Sequence, residues 1–486
     1  MPKFSAIINK GTLIKDENNM KYIFYHLTDL HYYSKKNFDC DPWSLPQFSS
    51  EVAFRESEEI LKEALNIILN DADTNTAIIT GDLTNHGDEA SHNELVEIFK
   101  DFESKGGRPF VVTDSHDYPH FEIFRIDKNG NKVPNEHLSR EQAVPMYYPF
   151  GRDKAFDTFS DDTTYIAEIL PKLWYIALGY DLTTNNTHDP AFSAELLEWV
   201  KKQTEKAKEE NAIVICGTHW PIVSPSPAYN LLGKGNYFVD GEKASKLLAD
   251  MGIHLAFTGH THIQKVKTVV SDSGNTLYHI QTAALTGYPP KMRKIIIDTE
   301  TGEAEIKTID LDVPALNLKM TLTEFCRKGF LGSIEKIPYN MEHDIEAFLN
   351  TGGGITLPKD LIKKHPKIVR FLGKKLNNLT YGKMAKFSKK YHGMKKQEYA
   401  HLENEKVVPF IFELVAGLYK GNPPYSPDTV EYKIAMGVIK KATKISKTLH
   451  IDVKNILGGF TLEEFVEPLL YNSGLDDDNL KINIKK

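Results

Sequence analysis

Five short polar clusters lie along the first 262 residues: Asp29-Leu30-His31, Gly81-Asp82-Leu83-Thr84, Ser115-His116-Asp117, Thr218-His219-Trp220-Pro221 and Gly259-His260-Thr261-His262. Imidazole nitrogen and carboxylate oxygen are donors for hard-to-borderline divalent metals, so side chains of these types meeting in space would cage cations. Any one cluster alone carries little, because a lone histidine is more often a satisfied structural side chain than a ligand. The order and repetition of all five carry the inference.

Each cluster directly follows a β-branched or apolar run. The runs are Tyr22-Ile23-Phe24, Ala77-Ile78-Ile79, Phe110-Val111-Val112, Ala212-Ile213-Val214-Ile215 and Leu255-Ala256-Phe257. Short runs of this kind read as strands, and ligands at their C-terminal ends sit where open α/β sheets bind. Amphipathic helices are expected near 51–70, 88–105, 193–209 and 241–250. Strands near 164–170 and 173–178 resume the sheet after a long polar insertion (118–162) that carries Tyr147 and Tyr148. Runs at 276–282, 294–297 and 304–311 are expected to close a second sheet antiparallel.

At 486 residues the chain exceeds a single core, and two domains are expected. The net charge of −7 hides opposite halves: residues 1–314 carry −16 and residues 315–486 carry +9. We place the boundary at Pro314, giving a domain over 1–314 that carries the five clusters and an all-α domain over 315–486. In the latter, Leu361, His365, Ile368, Val369, Leu372, Leu376 and Leu379 recur at helical spacing, as do apolar residues in 409–418, 430–449 and 462–470. The last dozen residues read as a loose tail. No run approaches the ~18 apolar residues of a membrane span. Residues 1–19 lack the apolar core of a signal peptide, and the three cysteines (Cys40, Cys216, Cys326) fit a reducing compartment. A cytoplasmic location is the expectation.

The order Asp-x-His, Gly-Asp, a His-Asp cluster, His, Gly-His-x-His resembles the calcineurin-like metallophosphoesterase family over roughly residues 20–310. Gly81-Asp82-Leu83-Thr84-Asn85 resembles bacterial members similar to cyclic-nucleotide phosphodiesterases. The resemblance implies a two-sheet α/β sandwich flanked by helices and two divalent metal ions (Mn, Fe, Zn or Co). It implies Asp29, His31 and His262 on one cation, His219 and His260 on the other, and Asp82 shared. Two cations ~3.5–4 Å apart polarise a phosphoryl group and lower the pKa of bound water toward ~7, giving a nucleophile for in-line attack on phosphorus. His116 is implied near the leaving group as general acid or phosphate contact, with Asp117 holding its tautomer.

One departure stands out. Asp114-Ser115 replaces the family's Gly-Asn, whose Asn supplies a carbonyl oxygen to the second metal. Ser115 is a poorer ligand in that place, and Asp114 either tolerates a left-handed backbone or adds a carboxylate to the site.

The expected function is hydrolysis of a phosphodiester or nucleotide, a cyclic nucleotide included. The alternatives are a phosphomonoesterase or protein phosphatase, although the paired arginines that grip a phosphate dianion have no recognisable counterpart. A degenerate nucleotide-binding member is the alternative that Ser115 motivates. His86 and His92 read as loop and helix-start structure, and His254 as core. Tyr147 and Tyr148 serve equally well as a nucleobase platform or as packing. The lysine-rich stretch 359–396 reads as a solvated helix face, with docking against the acidic first domain and nucleic-acid binding by the basic helices as the alternatives. Oligomeric state is not written in the sequence.

Overall fold

The computed structural model describes residues 6–9, 12–16, 19–114, 116–119, 123–179, 191–232, 235–350 and 359–484. The chain divides into two compact units. One comprises Met1–Val223, Gly235–Arg327 and Asp477–Lys486; the other comprises Ser224–Lys234 and Lys328–Asp476.

The first unit is a two-sheet α/β sandwich. Its first sheet contains β1 (Ala6–Asn9), β2 (Thr12–Asp16), β3 (Asn19–Leu27), β4 (Thr76–Thr80) and β5 (Arg108–Val112). A small hairpin in the insertion follows, β6 (Phe124–Ile126) and β7 (Lys132–Pro134). The second sheet holds β8 (Asp157–Thr158), β9 (Tyr165–Leu170), β10 (Leu173–Ala177), β11 (Ile213–Gly217), β12 (Leu255–Thr258), β13 (Lys265–Val270) and β14 (Thr276–Gln281). The chain then returns to the first sheet with β15 (Lys291–Asp298), β16 (Glu303–Asp310) and β17 (Leu480–Asn483).

Parallel pairing sets up the site. In the first sheet β3, β4 and β5 run parallel, with Tyr25 opposite Ala77 and Ile79 opposite Val111. In the second, β10, β11, β12 and β14 run parallel, so β11 and β12 end side by side. All five predicted clusters therefore leave strands at C-terminal ends. Alternate residues of β3, Tyr22 and Phe24, enter the core between the sheets, as period-two side-chain geometry requires. Phe24 meets Phe257 of the other sheet edge-on, centroids 5.7 Å apart. β4 and β12 are buried along their whole length because helices cover the outer face, which is why Ala77-Ile78-Ile79 and Leu255-Ala256-Phe257 are unbroken apolar runs.

Those helices, Ser57–Asn70, Glu89–Ser104, Ala194–Glu209 and Gly241–Asp250, begin where the chain supplies a cap or an acidic first turn. Asp88 accepts from the Ser91 amide and Ser193 from the Leu196 amide. Ile60, Leu61, Ala64, Leu65 and Ile68 form the buried stripe of the first helix, the 3.6-residue period made physical.

Several expectations are corrected. Only β14 of the three late strands joins the second sheet, where it lies parallel to β12 and antiparallel to β13. β15 and β16 belong to the first sheet: β15 pairs antiparallel with β3, placing Ile295 opposite Phe24 and adding Ile295 and Ile297 to the core. The segment read as a loose tail contains β17, paired antiparallel with β16. The long apolar stripe from 361 breaks at His365-Pro366 into Lys359–Lys364 and Pro366–Asn377, since proline cannot continue a helix.

The second unit is helical. Tyr381, Phe410, Ile434 and Leu470, from the helices Tyr381–Ser388, Val407–Lys420, Val430–Thr448 and Leu462–Leu470, make its main core. Ile337, Phe348, Ile362 and Val369 make a smaller one. Among the described residues no helix is long and apolar enough to cross a membrane.

Candidate metal centre

At the C-terminal ends of β3, β4, β11 and β12, six of the predicted side chains converge. Asp29, His31, Asp82 and His262 each offer a ligand atom within 4.8 Å of the others, and Asp82, His219 and His260 form a second such group. Asp82 belongs to both. His31 Nε2 lies 3.0 Å from His262 Nε2 and 3.8 Å from both Asp29 Oδ1 and Asp82 Oδ2. His219 Nε2 lies 3.1 Å from Asp82 Oδ2 and 3.3 Å from His260 Nδ1.

The backbone is bent to achieve this. Asp29, His31, Asp82, His260 and His262 all take positive φ, between 41° and 72°. Non-glycine residues seldom do so, and such strain gathers where surrounding structure enforces a functional geometry. Two glycines make room: a Cβ on Gly81 would come within 2.6 Å of the His219 ring, and one on Gly259 within 1.9 Å of Thr28 Oγ1. Glycine is required at both positions by close approach, which explains the Gly-Asp and Gly-His pairs.

Surrounding groups orient the donors. His219 Nδ1 donates to the Thr80 carbonyl at 2.7 Å, which leaves Nε2 as the lone-pair nitrogen facing Asp82. The His260 amide donates to Asp29 Oδ2 at 3.0 Å, and the Thr28 hydroxyl lies 2.8 Å from the same oxygen. Trp220 lies flat on the His260 ring, centroids 3.8 Å apart, and its indole N–H donates to Asp114 Oδ1 at 3.0 Å.

Charge at the site is tightly balanced. Burial works to raise the Asp29 carboxyl, but His219 and His262 outweigh it and hold it at about 2. Asp82 is likewise held well below the usual carboxylate range, with His116 and His219 overcoming burial. Burial opposes protonation of His219 and His262, yet the carboxylates of Asp82, Asp114 and Asp29 raise the first and Asp29 raises the second. Burial lowers His31, and pushes His260 down to about 3 with help from His219. Two carboxylates held low in this way favour positive charge beside them, and a bound cation would supply it.

This donor set fits a pair of divalent cations. It is all nitrogen and oxygen, contains one carboxylate common to two groups, and holds Asp82 Oδ1 and His31 Nδ1 buried with no hydrogen-bond partner among the described residues.

His116 stands beside the cluster, with Nε2 4.0 Å from Asp82 Oδ2 and its side chain partly exposed. Its tautomer is set by the Asn85 carbonyl, 2.9 Å from Nδ1. The expected partner, Asp117, is engaged elsewhere: Oδ1 accepts from the Thr84 amide at 2.8 Å and Oδ2 from the Asp114 amide at 2.9 Å. Burial and the neighbouring Asp82 push the Asp117 carboxyl up to about 8 despite those donors. Ser115 lies outside the described residues. Asp114 does not adopt a left-handed backbone, and its carboxylate is not in either converging group.

The remaining candidates separate cleanly. His92 is structural, bonded to the Tyr147 hydroxyl and the Asp117 carbonyl, both at 2.8 Å. Tyr147 is buried in that contact, so it packs the insertion and offers no nucleobase platform. Tyr148 packs beside Tyr118, Ala143 and Val144. His86 lies nearly parallel to His116, centroids 6.3 Å apart. His254 bonds the Thr276 carbonyl, as a structural histidine should. Sequence reasoning missed the carbonyls of Thr80 and Asn85, because main-chain acceptors leave no residue signature. The Asp114–Trp220 bond was equally hidden, although both residues had been singled out.

The calcineurin-like phosphoesterase family model matches residues 22–264, the span that carries all five clusters. The chain belongs to the calcineurin-like phosphoesterase family. Membership places it among the metal-dependent phosphoesterases. Solved structures to which this phosphoesterase is similar include a dimetal phosphatase from Danio rerio, at 13% identity and TM-score 0.41, covering 59% of this chain and 96% of that one. A purple acid phosphatase from yellow lupin seeds matches at 12% identity and TM-score 0.39, covering 60% of this chain and 51% of that one. An NAD nucleotidase from Haemophilus influenzae matches at 11% identity and TM-score 0.29, covering 75% and 62%. No curated protein matches the chain.

Proposed function

We propose that this phosphoesterase hydrolyses phosphodiesters, cyclic nucleotides included, with two divalent cations held side by side. The carrying observation is the membership of Asp82 in both converging groups, since a shared carboxylate offsets the repulsion of two close cations. Asp29, His31, Asp82 and His262 would hold one cation. Asp82, His219 and His260 would hold the other, with Ser115 as a further ligand on that side. Bound there, the cations supply Lewis acidity toward a phosphoryl group and a lowered pKa for water.

The chain's own residues do the rest. The Thr80 carbonyl and the Asp29 bonds to Thr28 and the His260 amide keep the donors rigid, so no reorganisation is needed when charge develops. His116 stands beside the cluster, partly exposed, with Nδ1 tied to Asn85. We assign to its Nε2 the delivery of a proton to the departing alkoxide. Asp117 supports this by joining the Thr84 and Asp114 loops around His116, a positioning role.

The preference for a diester rests on the Gly81–Asn85 segment and on the lack of a recognisable arginine pair for a phosphate dianion. Rates on bis(p-nitrophenyl) phosphate and p-nitrophenyl phosphate, measured with added Mn²⁺ beside elemental analysis of the purified protein, test it. A strong preference for the monoester overturns the diester assignment.

A further inference from the structure

The stretch 359–396 holds twelve lysines and Arg370 against one acid, Asp360. Spacing alone reads it as a solvated face over a buried apolar stripe. The helix Pro366–Asn377 contradicts half of that reading. Its inward side is Val369, Gly373 and Asn377, at four-residue steps. A Cβ on Gly373 would approach within 2.7 Å of the Glu342 amide nitrogen, so the backbones nearly touch there. The Asn377 amide donates to the Pro338 carbonyl at 2.9 Å and to the Glu342 carboxylate at 2.8 Å. These contacts fix the rotation of the helix against its neighbour, Ile337–His343.

The consequence falls on the other side. Ile368, Phe371 and Leu372 are 56%, 58% and 51% exposed. Three large apolar side chains on adjoining turns form one patch, unlike the scattered single residues normal on a surface. Lys367, Arg370 and Lys374 are exposed along one flank at helical spacing. The Lys375 ammonium stands 5.3 Å from the Phe371 ring centroid.

We propose that this helix is a peripheral membrane anchor for an anionic lipid surface. Ile368, Phe371 and Leu372 enter the headgroup boundary while Lys367, Arg370, Lys374 and Lys375 meet lipid phosphates, the division of labour of an interfacial helix. Charge decides among occupants. Protein interfaces deplete lysine at their cores, whereas this patch is ringed by it. A second copy would set two strongly basic segments face to face. A nucleic acid would leave the apolar residues without a partner.

The test is cosedimentation of the full chain with vesicles of phosphatidylcholine, with and without phosphatidylserine, over a salt series. Binding is expected only with phosphatidylserine and should weaken as salt rises. The double substitution Phe371→Glu/Leu372→Glu should reduce vesicle affinity by about tenfold or more. Its circular dichroism melt and its phosphoesterase rate in solution should match wild type. Failure of wild type to bind, equal binding to neutral vesicles, or retained binding by the double variant overturns the proposal. So does a dimer in sedimentation velocity that the double variant dissolves, which would assign the patch to a second copy, or a tighter salt-dependent association with duplex DNA.

Discussion

His116 Nδ1 lies 2.9 Å from the Asn85 carbonyl oxygen, and that one bond turns the opposite nitrogen toward Asp82. A histidine held this way can give up a proton at Nε2 and take it back without turning its ring. His116→Gln should therefore lower kcat by about 10²–10⁴-fold. The loss should be greater for alkyl leaving groups than for p-nitrophenolate, which departs unaided. Leaving-group dependence across a series of diesters checks this, with elemental analysis expected to show metal content unchanged. A uniform loss across leaving groups would make His116 a phosphate contact and not an acid.

Asp82 serves both halves of the site, so its substitution should act on both. Asp82→Asn keeps the volume and removes the charge that offsets two cations. Metal content should fall to one equivalent or below, and kcat/KM by about 10³-fold or more. Inductively coupled plasma analysis after dialysis reads the first, and diester turnover the second. His31→Ala, which touches only one of the two groups, should leave one cation in place.

How far the site was legible in the sequence follows from what kind of group does each job. Asp29, His31, Asp82, His219, His260 and His262 could be found because each is a side chain announced by the strand before it, and the structure brings all six together. The sheets were less legible. Ile295 and Ile297 fit the core of either sheet by pattern, and only the pairing of β15 with β3 decides between them. β17 was missed because Leu480 and Ile482 alternate over just four residues in a polar tail, too short a run to outweigh its surroundings. The exposed patch at Ile368, Phe371 and Leu372 was hidden for the reverse reason: periodicity identifies an apolar stripe but not which side of a helix finds a partner.

Trp220 couples Asp114 to His260 by two different contacts, which substitution can separate. Trp220→Phe retains a ring over His260 but leaves Asp114 Oδ1, buried, without the indole donor. A loss of about 1–3 kcal/mol in stability is expected, read by denaturant melts. Trp220→Ala removes the stacked ring as well and should cut activity further than the phenylalanine variant. Equal activity in the two would show that the stack does not position His260.

Asp71 provides a pH signature far from the metal centre. Its Oδ2 lies 2.6 Å from both the Lys294 ammonium and the Tyr25 hydroxyl. Burial works to raise this carboxyl, but those two partners outweigh it and hold it below the usual range. A carboxylate with a depressed folded-state pKa contributes stability that is fully present above the unfolded value of about 3.9 and is lost as pH falls through the folded value. Asp71→Asn should thus be less stable than wild type at neutral pH, with the gap closing in acid. Urea melts at neutral pH and below pH 4 check the sign; a gap that widens in acid would refute it.

The C-terminal residues close the first unit by accepting hydrogen bonds from a buried cation. Arg293 is fully buried, and its guanidinium donates to the carbonyls of Gln281 at 3.0 Å and Asp477 at 2.9 Å. Asp477, itself without exposed surface, accepts from the Val266 amide at 3.0 Å and the Lys265 ammonium at 2.8 Å, joining β13 to the end of the chain. Removing residues 477–486 would strip partners from a charge that has no access to water, the costliest kind of broken contact, about 3–5 kcal/mol. The strand β17 would go with them, baring the edge of β16. The truncated chain should melt well below wild type, and Asp477→Ala should fall between the two, since it keeps the backbone carbonyl that Arg293 uses. A truncated chain as stable as the full one would mean that the tail only decorates the sandwich.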